Sequence, residues 1–255
     1  MSAFFAIDDI SVRFGGLKAI DHFSMEVRPG EIHALIGPNG AGKSTVFNCI
    51  SRFCTPVEGR IRLDGQDILA LPAHRIVASG IGRTFQNLEL LKRMTVLENV
   101  LIGQHVHIPR YFFFGPSPKR KRTEAEAVKS AEAILEETNL AKYRDTPAGE
   151  LDFGHQKLLD LARALAGRPR LLLLDEPAAG LRNREISFVD ALLLKLARSH
   201  GLTIILVEHV MPLVMSVANK VTVLSFGQKI AEGTPAEIRR HPRVIEAYLG
   251  SEAHA

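Results

Sequence analysis

One uninterrupted stretch restricts this chain to a small set of folds: Gly37, Pro38, Asn39, Gly40, Ala41, Gly42, Lys43, Ser44 and Thr45. It meets every fixed position of the phosphate-binding pattern, in which a glycine and four free positions precede Gly-Lys and a hydroxyl residue. The apolar run Ile32 to Ile36 before it has the length of a buried strand, and Thr45 to Ile50 can open a helix. The chemistry requires both neighbours. Glycines let several backbone N–H groups converge on one phosphate, and a helix N-terminus adds partial positive charge. Lys43 then reaches the β- and γ-phosphates, and the Ser44 hydroxyl is placed to ligate Mg²⁺. The expected ligand is a nucleoside triphosphate.

A second stretch complements the first. Leu171 to Leu174 is an unbroken apolar run, as a strand covered on both faces requires, and it ends in Asp175 and Glu176. Asp175 is expected to hold Mg²⁺ indirectly, through the metal's own ligands, and Glu176 to polarise an attacking water. Strand-end carboxylates also serve as ordinary helix caps, so the pairing with the phosphate loop carries this reading.

The remaining pattern describes what surrounds these two strands. Ile10, Val12 and Phe14 alternate with polar neighbours, as do Phe23, Met25 and Val27, with turns at Gly15-Gly16 and Pro29-Gly30. This predicts an antiparallel layer leading into the phosphate-loop strand. Residues 57–68 read as a hairpin turning at Asp64-Gly65. From 72 to 165 the pattern is mostly helical, irregular at first, with Ala127, Ala131, Ile134 and Leu135 at helical spacing inside Thr123 to Thr138. Glu185 to Ser199 carries Ile186, Val189, Leu192, Leu193 and Leu196 on one face, and Thr203 to Val207 is another buried strand. Strand, helix and strand in that order argue for a parallel α/β core. We expect one domain over 1–255, with 1–90 and 165–255 forming the core plus antiparallel layer, and 91–164 an inserted helical subdomain.

Composition adds bounds. A chain of 255 residues with 46% apolar and 24% charged residues can bury a substantial core. Its net charge of +4 suits an anionic nucleotide or a membrane surface and argues little for nucleic acid. Cys49 and Cys54 lack further ligands at metal spacing, so reduced core thiols are expected. No stretch approaches 18 consecutive apolar residues, and no basic region followed by an apolar run opens the chain; a soluble, cytoplasmic protein is expected, reaching any membrane through partners. Residues 99–123 contain no acid but hold Arg110, Lys119, Arg120, Lys121, Arg122 and the cluster Tyr111, Phe112, Phe113 and Phe114. Those aromatics either touch a membrane face or partner, or tuck into a small core of the insert; the second is favoured.

Leu151, Asp152, Phe153, Gly154, His155 and Gln156, running into Leu161 to Leu165, resemble the signature motif of ATP-binding cassette ATPases, L-S-x-G-Q. Gln86 is similar to that family's glutamine loop, Ala179-Gly180-Leu181 to its D-loop, and His209 to its switch histidine. Phe14 stands where an aromatic stacks on adenine, although it also continues the apolar alternation of Ile10 and Val12. Within the family the chain resembles the ATP-binding subunits of branched-chain amino acid importers, through Val46 to Ile50, Met94 to Val100, Asp175 to Leu181 and Ala247 to Gly250.

The resemblance implies an ATP-hydrolysing subunit that couples ATP and Mg²⁺ to transport. Two cassettes would pack head to tail, each nucleotide lying between one chain's phosphate loop and the other's signature. It implies that Gln86 senses the γ-phosphate through Mg²⁺, that Ser44, Gln86 and Asp175 serve the metal, and that Lys43, Glu176 and His209 act in catalysis. Two permease subunits and, through them, a periplasmic substrate-binding protein are the implied partners, on the inner face of the membrane, with no nucleic acid. Asp152 stands where the family has serine. A carboxylate there would repel the partner's nucleotide, or simply cap the helix starting near Gly154. We therefore expect a heterodimer, with a homodimer as the alternative. Rival readings are a cassette acting on nucleic acid or the ribosome, and a weakly hydrolysing regulatory subunit.

Overall fold

The computed structural model of the chain describes residues 3–107 and 118–252, with backbone alone for 118–121 and 249–252. Two sheets and a helical block surround the phosphate loop. Strands β1 (Phe5–Phe14) and β2 (Leu17–Val27) pair antiparallel, and β1 pairs antiparallel with β4 (Glu58–Leu63). The hairpin to β5 (Gln66–Asp67) turns where expected: Asp64 and Gly65 have φ of 51° and 79°, the left-handed pair of a type I′ turn.

The second sheet runs β10-β9-β3-β8-β7-β6 and is parallel except at its β9–β10 edge. Its strands are β3 (Ile32–Ile36), β6 (Ile81–Arg83), β7 (Leu171–Asp175), β8 (Thr203–Val207), β9 (Lys220–Ser225) and β10 (Gln228–Gly233). Its inner strands are covered on both faces. Leu171, Leu173, Ile205 and Val207 join one apolar cluster with β1, β2 and helix α1 (Lys43–Ile50). Leu172, Leu174, Ile204 and Leu206 join another with helix α5 (Asn183–His200). The continuous apolar runs in these strands follow from that double burial.

Helices α2 (Val96–Gly103), α3 (Pro118–Glu137) and α4 (Phe153–Ala166) keep a separate cluster built on Val96, Val100, Ala131, Leu135, Leu159 and Ala162. Helix α2 opens with a reciprocal Thr95/Glu98 capping box. Fully buried Asn99 ties the preceding loop down, accepting from the Leu91 N–H and donating to the carbonyls of Leu91, Met94 and Thr95. Helices α6 (Met211–Val217), α7 (Pro235–Ile238) and α8 (Pro242–Glu252) close the C-terminal edge.

Several boundaries differ from expectation. Strand β6 lies inside the stretch read as mostly helical; three residues are too few to display any period, and pairing with β7 is what makes them a strand. Helix α1 begins at Lys43 rather than Thr45, and α3 begins at Pro118 rather than Thr123. Cys49 and Cys54 are free thiols with their sulfurs 3.2 Å apart. Arg110 and the cluster Tyr111 to Phe114 lie outside the described residues, as do the side chains of Lys119, Arg120 and Lys121; Arg122 pairs with Glu126 on the surface of α3. Among the described residues, no helix is long and apolar enough to cross a membrane.

Candidate active site

The loop from Gly37 to Thr45 threads between β9 and β2, and its glycines are steric necessities. A Cβ on Gly37 (φ 154°) would lie 2.0 Å from the Leu224 carbonyl oxygen, and one on Gly42 (φ 105°) 2.8 Å from that of Ala19. Gly42 caps α1 without a side chain, so the first N–H groups of the helix keep their bonding capacity for an anion. Pro38, Asn39, Gly40 and Ala41 form the crest, closed by a bond from the Ala41 N–H to the Pro38 carbonyl (3.2 Å). Lys43 is buried, with Nζ donating to the carbonyls of Gly37 (2.8 Å) and Pro38 (2.9 Å). Burial pushes its pKa down, while Glu176 and Asp175 oppose that shift. Ser44 is exposed and Thr45 half-buried at the mouth. A cradle that only glycine permits, backed by unpaired N–H groups and an ammonium, fits a phosphate chain.

The facing wall is the end of β7. Burial raises the Asp175 pKa, with Arg83 pulling it down from 3.4 Å. Its backbone N–H donates to Thr84 Oγ1. Glu176 adopts a left-handed φ of 51° and donates its N–H to the Val207 carbonyl (2.8 Å). That turn aims its carboxylate at two groups from different strands. Gln86 Nε2 donates to Oε2 at 3.3 Å, and His209 Nε2 lies 3.0 Å from Oε1. Gln86, Glu176 and His209, spread over more than a hundred residues, thus converge on one carboxylate.

Other expected site residues stand apart from this convergence. Phe14 ends β1 with 54% of its surface exposed, so the apolar alternation stops at Val12 and core packing does not account for it. Asp152 caps α4, its Oδ1 accepting from the His155 N–H (2.9 Å) and lying 2.7 Å from His155 Nδ1. The helix begins at Phe153, one residue before the expected start. The His155 backbone bond depresses the Asp152 pKa against the opposing effect of burial, so the carboxylate is ionised at neutral pH. Gln156 donates to the Leu151 carbonyl, exposed Phe153 covers Gly180, and Gly154 packs against Glu185. Among the described residues, no hydrogen bond or ion pair joins Leu151 to Gln156 with the phosphate loop.

Three charged residues were not singled out from the sequence. Arg83 bonds Asn48 and Ser51 at 3.0 Å each and stacks over Phe85. Lys157 donates to the Glu176 carbonyl, and Glu208 accepts backbone N–H groups beside His209. The available signal was charge in apolar surroundings: Lys157 next to Leu158 and Leu159, Glu208 directly after a buried strand.

Comparison with known proteins agrees with this geometry. Residues 20–179 match the ABC transporter family model, and residues 228–254 match that of the branched-chain amino acid ATP-binding cassette transporter. The chain is 46% identical over 246 residues to the high-affinity branched-chain amino acid transport ATP-binding protein BraF of Pseudomonas aeruginosa, covering 96% of each. It is 42% identical over 247 residues to the corresponding protein LivG of Escherichia coli K12, covering 96% of this chain and 97% of that one. A crystal structure of an ATP-binding cassette of an ABC transporter in its ADP conformation superposes with a TM-score of 0.85 at 34% identity, covering 98% of this chain and 100% of that one. Phosphate loop, convergent carboxylate, helical block and likeness along nearly the whole length lead to one assignment: the chain belongs to the ATP-binding cassette transporter family, alongside the ATP-binding proteins of branched-chain amino acid transport.

Proposed function

We propose that this chain hydrolyses Mg·ATP on the Gly37–Thr45 loop to drive an importer of branched-chain amino acids. The observation that carries the reading is the Glu176 carboxylate, bracketed by Gln86 and His209 at the strand end next to Asp175. Lys43 and the first N–H groups of α1 take the β- and γ-phosphates. Ser44, Gln86 and Asp175 would hold Mg²⁺, which supplies neutralisation of phosphate charge. Glu176 accepts a proton from the attacking water, and His209 steadies the charge that develops on the γ-phosphate. Exposed Phe14 offers its ring to the adenine. The work is positioning and electrostatics, the usual means in phosphoryl transfer.

Leu151 to Gln156 would complete the nucleotide site of a second cassette, and ionised Asp152 favours a partner of different sequence. Two permease subunits would carry the motion, with a periplasmic receptor selecting the substrate and the cassettes on the cytoplasmic face. Branched-chain substrates are supported by the names of the relatives. Glu176→Gln in the purified transporter should cut phosphate release by roughly 100-fold or more while leaving ATP binding intact. Near-normal release would overturn the assignment of the base.

A further inference from the structure

Behind the Glu176 carboxylate lie two charged groups whose bonds end on main-chain atoms of the catalytic loops. Lys157, on the second turn of α4, donates from Nζ to the Glu176 carbonyl at 2.5 Å. Its ammonium faces Glu208, Glu176, Asp160 and Asp175 and sits 5.5 Å from the Phe153 ring centre. Glu208 is 0% exposed. Its Oε1 accepts the Ala178 N–H at 2.8 Å, and its Oε2 accepts those of His209 (2.7 Å) and Val210 (3.0 Å). One carboxylate therefore joins the loop after β7 to the loop after β8. Glu176 stands between these fixings in a left-handed conformation (φ 51°), which a side-chain-bearing residue keeps only where its surroundings over-determine it.

We propose that Lys157 and Glu208 are positioning residues for ATP hydrolysis, setting the backbone of Glu176 and His209 so that the two side chains meet. The inference rests on the reading of Glu176 as the base. An ordinary buried ion pair would bond carboxylate to ammonium; here both groups spend their bonds on the peptide units that carry Glu176, Ala178, His209 and Val210. The arrangement also has a mechanical consequence. Lys157 rides on the helix that Asp152 opens, so a rotation of α4 against the parallel sheet withdraws the ammonium from the Glu176 carbonyl. Hydrolysis at this chain's loop then depends on the seating of the helix that serves the other nucleotide.

The test is steady-state ATPase in the complete transporter containing this chain, with separate kcat and KM, fluorescent-nucleotide affinity and melting temperature. Lys157→Met should lower kcat at least tenfold, leaving KM and nucleotide affinity within twofold, and Lys157→Arg should recover most of the loss. Glu208→Gln, which keeps the shape but must set its amide NH2 against at least one of the three N–H groups that the carboxylate accepts, should do the same as the methionine variant. The double variant should be no slower than the worse single one, because both act through the loop that carries Glu176. A kcat within twofold of wild type for Lys157→Met overturns the proposal. So does a kcat loss matched by lost nucleotide affinity, or a failure of arginine to rescue. Should the methionine variant melt before the assay temperature, Glu208→Gln decides, and a kcat within twofold of wild type there overturns the proposal. The underlying reading fails separately: normal turnover in Glu176→Gln refutes the base, whereas an inactive Glu176→Gln beside a normal Lys157→Met refutes only the positioning role.

Discussion

Asp152 caps α4 and, on the proposed reading, repels a partner's nucleotide; substituting it separates the two. As the N-cap of a 14-residue helix it accepts the His155 N–H. Losing such a cap to alanine costs about 1 kcal/mol, and losing a negative charge at a helix N-terminus adds about 0.5 kcal/mol. Serine keeps the cap and forfeits only the charge. In a domain of this size, 1 kcal/mol moves the melting temperature by about 2–4 °C. Asp152→Ala should therefore melt about 3–6 °C lower, and Asp152→Ser no more than about 2 °C lower. The functional term has the opposite sign. The carboxylate is held ionised, and its side chain is 64% exposed, open to whatever docks on α4. A phosphate about 8 Å away would be repelled by about 2 kcal/mol at an effective dielectric near 20. Salt and exposure reduce this to about 1 kcal/mol. Asp152→Ser should then reach half-maximal ATPase at about fivefold lower ATP in the assembled transporter. An unchanged ATP dependence would refute the repulsion, and a serine variant melting as low as alanine would refute the cap.

Three further outcomes follow from particular contacts. Lys43→Ala should abolish fluorescent-nucleotide binding while melting within a few degrees of wild type, since the hydrogen bonds of the buried ammonium go to the Gly37 and Pro38 carbonyls of its own loop; retained micromolar affinity would count against the phosphate site. Gly103→Ala would set a Cβ 2.2 Å from the Arg163 carbonyl oxygen, wedging α2 from α4; denaturant titration should give a loss of about 1–3 kcal/mol. Glu31 reports on acid stability. Burial works against its charge, yet the His33 ring at 2.9 Å and the Arg28 N–H hold its pKa below the ordinary 4.5. Because the folded value is depressed, this contribution is present above the ordinary carboxylate range and disappears as pH falls through the depressed value. Glu31→Gln should flatten the acid limb of a melting-temperature profile, and an unaltered limb would exclude the linkage.

What could be read from the sequence was what is local in the chain. The phosphate loop, the apolar strand ahead of Asp175 and the turn at Asp64-Gly65 each depend on neighbours within a few residues, so their patterns survive in one dimension. Strand β6 was missed because its three residues acquire strand character only by pairing with β7. Arg83, Lys157 and Glu208 were missed for a related reason: each is a common residue type with at least one decisive partner 19 to 92 positions away. Gln86 and His209 were anticipated only through family resemblance, since nothing in their local sequence points to Glu176.

Sheet register explains why those distant residues meet. Strands β7 and β8 pair with Asp175 opposite Val207, so the residues following them, Glu176 on one side and Glu208-His209 on the other, must emerge together. Strand β3 pairs Leu35 with that same Val207, which brings the start of the phosphate loop to the same edge. Strand β6 pairs Arg83 with Leu173, delivering Thr84 and then Gln86 there as well. A one-residue slip in any of these ladders would move its terminal side chain by about 3.3 Å and turn it to the opposite face. Leu171 and Leu173 fill one core and Leu172 and Leu174 the other, so a slip within the run would only exchange leucine for leucine; what it would break are the bonds that end the strand, from the Asp175 N–H to Thr84 Oγ1 and from the Glu176 N–H to the Val207 carbonyl. The hydrogen bonds that end β7, rather than the leucine run itself, thus hold Glu176 within reach of Gln86 and His209.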